Sequence, residues 1–169
     1  MRTTTTGTAV ITTPSDTEIL ITREFNAPRH LVYRVFTEPE YVWRWWAGGQ
    51  GTVTSVEMDF RVGGRWRYVL EAGAGFEVAF HGVYREIVPD ERFVCTEVFE
   101  GDSEPDESNA SVTTYTFTES GGRTTLQLLD QLPDKASRDA VLESGMEAGA
   151  QGQYDTIEQI AVELAEAPR

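Results

Sequence analysis

From Glu18 to Leu132 the chain alternates apolar and polar residues with the period of β-structure, broken by two short helical patterns. From Asp134 to Ala165 the period becomes that of a helix. Glu18 to Phe25 (EILITREF) reads as a first strand, with Ile19, Ile21 and Arg23 on one face and Leu20, Thr22 and Glu24 on the other. Asn26 is expected to cap a short helix that starts near Pro28 and carries Leu31, Val32, Val35 and Phe36 at helical spacing. Thr37-Glu38-Pro39-Glu40 has the form of a capping box with Thr37 at the cap, so a second short helix should follow and end in Tyr41-Val42-Trp43-Arg44-Trp45-Trp46.

An antiparallel meander is expected next. Its strands are Thr52–Phe60, Arg65–Leu70, Phe76–Val88, Arg92–Phe99, Val112–Thr118 and Thr124–Leu132. Turns at Val62-Gly63-Gly64, Gly73–Gly75, Pro89-Asp90 and Gly121-Gly122, and an acidic loop over 100–110, separate them. In the terminal helical region Met146, Ala150, Gln153, Ile157, Ile160, Ala161 and Leu164 fall on one stripe at about 100° per residue. The pattern leaves open whether this region is one helix or two meeting near Gly145. A helix and a sheet with one apolar face each should pack on one another. Gln153 inside the stripe, and Gly145, Gly149 and Gly152 along its edge, fit a solid core poorly, since a glycine costs roughly 1 kcal/mol against alanine in a helix. The helix is therefore expected to close a cavity.

Composition narrows the classes. A chain of 169 residues, 40% hydrophobic, suits one domain: a flexible, Thr-rich arm over residues 1–16 and a single α+β domain over 17–167. No apolar run approaches the roughly 18 residues of a membrane span, and the N-terminus lacks the apolar stretch of a signal peptide, so a cytoplasmic location is expected. The net charge of −14 argues against nucleic acid and anionic membrane as partners. The single Cys95 rules out an internal disulfide and a cysteine metal cluster, and two distant histidines give no metal-ligand spacing, so neither metal nor cofactor is expected.

Several local motifs resemble one family. Phe25-Asn26-Ala27-Pro28-Arg29, Phe36-Thr37-Glu38-Pro39 and Trp45-Trp46 are similar to the opening signature of the activator-of-Hsp-90-ATPase homologue family, of the START-like or SRPBCC superfamily. Val62-Gly63-Gly64-Arg65-Trp66, Gly82–Pro89 with Glu91-Arg92 and Thr96, Arg138-Asp139-Ala140 and Gly145–Gly149 extend the resemblance over about residues 18–165. Two departures stand out: Ala47-Gly48 replaces the family's Gly-Pro after the tryptophans, and 101–108 looks like a local insertion. The resemblance implies the helix-grip (Bet v 1-like) fold: an antiparallel sheet of six to seven strands wrapped around a long C-terminal helix, with two short helices after the first strand. Relatives bind lipids, hormones or polyketides between sheet and helix, and a few catalyse cyclisation, hydrolysis or hydroxylation there. The co-chaperone in the family's name does not define the activity here, because function lives in sites and not in folds.

Binding of a small hydrophobic or amphipathic molecule, without covalent chemistry, is the leading expectation. Trp45, Trp46, Trp66, Tyr68, Phe80, Tyr84, Glu97, Tyr115, Phe117, Met146, Gln153 and Ile157 are the candidate ligand contacts. The first alternative is a polyketide-cyclase or hydrolase-like enzyme whose proton-transfer group is Glu97, Asp130 or His81; Glu86 is a weaker candidate acid. The second is a chaperone co-activator module, which is disfavoured because no additional chaperone-binding domain fits in this chain. A homodimer is left open. His30, Arg65 and Arg67 read as surface charges, and Cys95 as a buried small hydrophobe.

Overall fold

The chain turns through eight antiparallel strands in a single open sheet before its two last helices, as seen in a computed structural model that describes residues 7–73, 75–100 and 107–167. The elements are β1 (Val10–Thr12), β2 (Glu18–Phe25), α1 (Arg29–Thr37), α2 (Pro39–Trp45), β3 (Thr52–Met58), β4 (Arg65–Glu71), β5 (Glu77–Val88), β6 (Arg92–Glu100), β7 (Ser111–Ser120), β8 (Arg123–Gln131), α3 (Lys135–Glu143) and α4 (Met146–Glu166). The strand order is β1-β2-β8-β7-β6-β5-β4-β3. Strands β3 to β8 form the expected meander. The helices α1 and α2 carry the chain from β2 to β3 at the far edge, and α4 then packs with them. This is the α+β helix-grip architecture, with one strand more than the six to seven expected.

The extra strand comes from the stretch read as a flexible arm. Val10–Thr12 pairs antiparallel with β2, Val10 opposite Thr22 and Thr12 opposite Leu20. Gln151 of α4 fastens it from the other side: Ala9 N–H donates to Gln151 Oε1 at 3.0 Å, and Gln151 Nε2 donates to the Ala9 carbonyl at 2.8 Å. A three-residue strand is too short to announce itself by alternation. Residues 1–6, and 101–106 of the acidic loop, lie outside the described residues.

Turn chemistry explains the meander. The β7–β8 hairpin closes with Gly121 and Gly122 at φ 60° and 76°, between the paired Ser120 and Arg123. Positive φ at both central residues gives a turn whose twist matches that of the strands, and glycine adopts it without strain. Gly145, at φ 83°, decides the question left open for the terminal region: the left-handed residue ends α3 and starts α4, so there are two helices.

Two expected caps are absent. Thr37 is the last residue of α1, and its Oγ1 donates back to the Tyr33 carbonyl at 2.8 Å. Glu38 alone is extended between the helices and stands at the N-cap of α2 without a side-chain cap hydrogen bond, with Pro39 supplying the first turn. Nor does Asn26 cap α1: Pro28 occupies that position, and the Asn26 N–H donates to Glu158 Oε2 at 2.9 Å.

One end of the space between helices and sheet is solid. Phe25, Phe36, Phe93 and Phe117 pack there with Tyr33, ring on edge or stacked, at centroid distances of 5.4 to 6.4 Å. Ile157 and Ile160 of α4 complete that core with no exposure at all. The other end is open.

Candidate functional site

Helix α4 packs chiefly against the helices α1, α2 and α3, and meets β2 through Arg23 and Phe25. Two sets of contacts fix its position, the first with the segment Trp46 to Gly48. Gly48, in the loop after α2, adopts φ 57° and lies against α4 so closely that a Cβ on Gly152 would sit 2.4 Å from the Gly48 carbonyl oxygen. Alanine at 152 would thus overlap backbone, which is why glycine interrupts the stripe. Gln153 Nε2 donates to the Trp46 carbonyl at 2.5 Å, satisfying an acceptor at the C-terminal end of α2. The second set is ionic. Arg23 on the inner face of β2 reaches Glu158 at 3.1 Å, both side chains fully buried, and Asp155 at 2.9 Å.

Between these anchors lies a cavity of about 740 Å³. Its wall is aromatic. Trp46 stands on edge to Tyr68 and Phe80 at 5.5 and 5.7 Å, and Phe93 stacks on Tyr115 at 4.3 Å. Phe99, 56% exposed, and residues of α3 such as Ala140 and Val141 also border the space. Its acidic end holds Glu97 of β6 and Asp130 of β8, on either side of β7. Strand register places them there. Glu97 is opposite Ser111, and Asp130 is opposite Thr113, whose Oγ1 lies 3.5 Å from Asp130 Oδ1.

The two acids are electrostatically coupled. Burial first, and then the neighbouring Asp130, push the Glu97 carboxyl from 4.5 up to about 8. Burial pushes Asp130 up to about 6, against hydrogen bonds from Ser111 and Thr113 that favour its ionised form. Among the described residues the Glu97 carboxyl, half-buried at the cavity wall, has no hydrogen-bond or ion-pair partner. The Tyr68 and Tyr84 hydroxyls bond to one another, and burial raises both, as it does Tyr115, Tyr154 and the Cys95 thiol. At neutral pH this end therefore offers phenols, a thiol, a protonated carboxyl and one carboxylate.

The structure brings together Trp45, Trp46, Trp66, Tyr68, Phe80, Tyr84, Glu97, Tyr115, Met146 and Gln153, all bordering the cavity, with Asp130. Phe117 and Ile157, expected as ligand contacts, do not border it; both are packed into the solid end of the core, 1% and 0% exposed. His81 is on the opposite face of the sheet, because it adjoins the inward-facing Phe80. Its Nδ1 meets Glu100 at 2.7 Å and its Nε2 meets Glu107 at 2.6 Å. Glu86 also stays outside the cavity, paired with Arg92. Tyr154 and Phe36 line the cavity and were not anticipated. Tyr154 had a signal, four residues after Ala150 and three before Ile157 on the same stripe.

Residues 26–161 match the family described as Activator of Hsp90 ATPase homolog 1-like protein. The chain belongs to that family. Solved members of the same fold include a Mycobacterium smegmatis protein, 25% identical, with a TM-score of 0.77 over 92% of this chain and 97% of that one. A Rhodobacter sphaeroides protein, 21% identical, superposes with a TM-score of 0.82 over 92% of this chain and 99% of that one. A Chromobacterium violaceum protein, 26% identical, gives 0.67 over 90% and 99%. Comparison with curated protein sequences yields no match. The family and the fold are thus in place, and no helix among the described residues is long and apolar enough to cross a membrane.

Proposed function

We propose that the protein binds one small amphipathic molecule between its sheet and α4, its apolar body against the aromatic wall and its polar group at the Glu97–Asp130 end. The observation that carries this reading is the cavity of about 740 Å³, a size and an aromatic lining suited to a small-molecule site. The cavity lies under the N-terminal part of α4, while Ile157 and Ile160 anchor its later turns in packed core. Ligand should stabilise the fold by mass action, about 2.7 kcal/mol at a concentration 100-fold above Kd. Thermal unfolding against a naphthyl panel and a long-chain alkyl panel, each offered as alcohol, amine and carboxylate, tests it. A melting temperature that rises with ligand concentration is expected, and no response across both panels overturns the reading.

A second reading, proton-transfer catalysis of the cyclase or hydrolase kind, is favoured by one observation. The unpartnered Glu97 carboxyl, held near 8, can give or accept a proton at neutral pH inside an apolar space. Turnover of aryl esters or polyketones that disappears in Glu97→Gln would support it, and unchanged turnover in that variant would overturn it.

A further inference from the structure

The charges around the cavity narrow the class of occupant. Two carboxyl groups border it, and among the described residues no lysine, arginine or histidine does. Arg23, the basic side chain that approaches Tyr154 from behind, is committed to Glu158 and Asp155. Arg138 of α3 turns to the Ser15 carbonyl and to Asp139. An anionic ligand would therefore enter a low-dielectric space holding like charge and no cation, an arrangement that costs free energy. A neutral hydroxyl could hydrogen-bond the Glu97 carboxyl, but it would leave negative charge in the cavity without a counter-charge. The remaining groups are compatible with a cation: Tyr68, Tyr84, Tyr115 and Tyr154 border the space with neutral hydroxyls and aromatic rings, and aromatic rings can attract cations.

We propose that the molecule bound in this cavity is an organic ammonium ion on an apolar body, its nitrogen held between Glu97 and Asp130 against the tyrosine rings. This rests on the cavity being a ligand site. The titratable groups facing Glu97 are Tyr68 from β4, Cys95 on its own strand, Tyr115 from β7, Asp130 from β8 and Tyr154 from α4, with Tyr84 from β5 behind Tyr68. Only the two acids can ionise near neutrality. An arriving cation favours their charged forms, so Glu97 gives up its proton as the ammonium binds.

Calorimetric titration of the full chain at pH 7 with three probes sharing a 2-naphthylethyl body (the amine, the alcohol and the corresponding carboxylate) tests this. The amine should bind at least about tenfold tighter than the alcohol, with the carboxylate weakest. Repeating the amine titration in two buffers of different ionisation enthalpy should show release of close to one proton per amine bound, and none for the alcohol. In the isosteric double variant Glu97→Gln, Asp130→Asn the amine-to-alcohol ratio should fall to near one. Alcohol binding as tight as amine binding in the natural protein needs no variant to be decisive: it overturns the ammonium assignment and leaves the cavity reading standing. An amine preference that survives in the folded double variant does the same. Failure of all three probes to bind overturns both.

Discussion

Glu97 and Glu100 lie three residues apart on one strand and experience opposite surroundings. Glu100, on the outer face, accepts hydrogen bonds from Arg67 Nε and Nη2, each at 3.0 Å, and meets His81 at 2.7 Å; the Arg67 hydrogen bond holds its carboxyl below the ordinary value. Glu97, on the inner face, has no base and no donor among the described residues, and its carboxyl is pushed up to about 8. A third acid separates burial from isolation. Glu158 is more deeply buried than either, yet it is paired with Arg23 and accepts the Asn26 N–H. Burial with partners is structural. Burial without them, at the wall of a cavity, leaves an unmet interaction that a ligand can satisfy.

The largest expected effect breaks the paired, buried case. Glu158→Ala leaves Arg23 inside the core with its charge compensated only in part, by the half-buried Asp155, and should cost about 3 kcal/mol in urea unfolding. Replacing both partners by apolar residues, Arg23→Met with Glu158→Leu, should recover most of that loss. Equal destabilisation by the single and double variants would show that packing, and not the uncompensated charge, is what the pair supplies.

The next effect reverses sign with pH. An acid whose folded value is raised favours folding below its ordinary value and loses that advantage as pH rises toward the folded value. Between about 4.5 and 8 the natural protein should therefore lose stability relative to Glu97→Gln, by up to about 1.4 kcal/mol per pH unit. Parallel denaturant curves at pH 5, 6.5 and 8 measure the difference. A constant gap between the two proteins would mean that Glu97 is solvated.

The smallest effect belongs to the outer face. Burial lowers the His81 imidazole, but hydrogen bonds to Glu107 and Glu100 outweigh it and hold the group above its ordinary value. Its contribution is present in full below about 6.5 and fades as pH rises through the folded value. These side chains are partly solvated, so Glu100→Gln should cost less than about 1 kcal/mol. The clearer readout is the NMR titration of His81, whose midpoint should move down in that variant. An unmoved midpoint would leave the close contact at 2.7 Å without electrostatic consequence.

Much of this contrast is legible in the strand period. Phe80 and Tyr84 alternate with His81, so whichever face holds the aromatics excludes the histidine. Glu97 likewise shares its parity with Cys95 and Phe93, which places it inward. Phe117 and Ile157 share the inward parity or stripe too, but whether a residue meets packed rings or open space depends on how far away the opposing element stands, and local pattern does not carry that distance. The caps show the same limit. Thr37-Glu38-Pro39-Glu40 has the right residue types, but α1 runs one residue further than its pattern indicates, and the threonine hydroxyl turns back into the helix it closes.

The amino-acid sequence alone determined the order of the elements from Glu18 to Leu132, the meander and its turns, the family, and which side chains of a regular strand share a face. It could do so because alternation, glycine turns and helical stripes are local and their physics acts within a few residues. The eighth strand, the partner of Arg23 132 to 135 residues away, the role of Gln153 and the division of the interior into a packed end and a cavity were decided only by the tertiary structure. Each depends on the separation between α4 and the sheet. That separation is set jointly by the Gly48–Gly152 contact and the Arg23–Glu158 pair, two long-range constraints that no single segment of the chain contains.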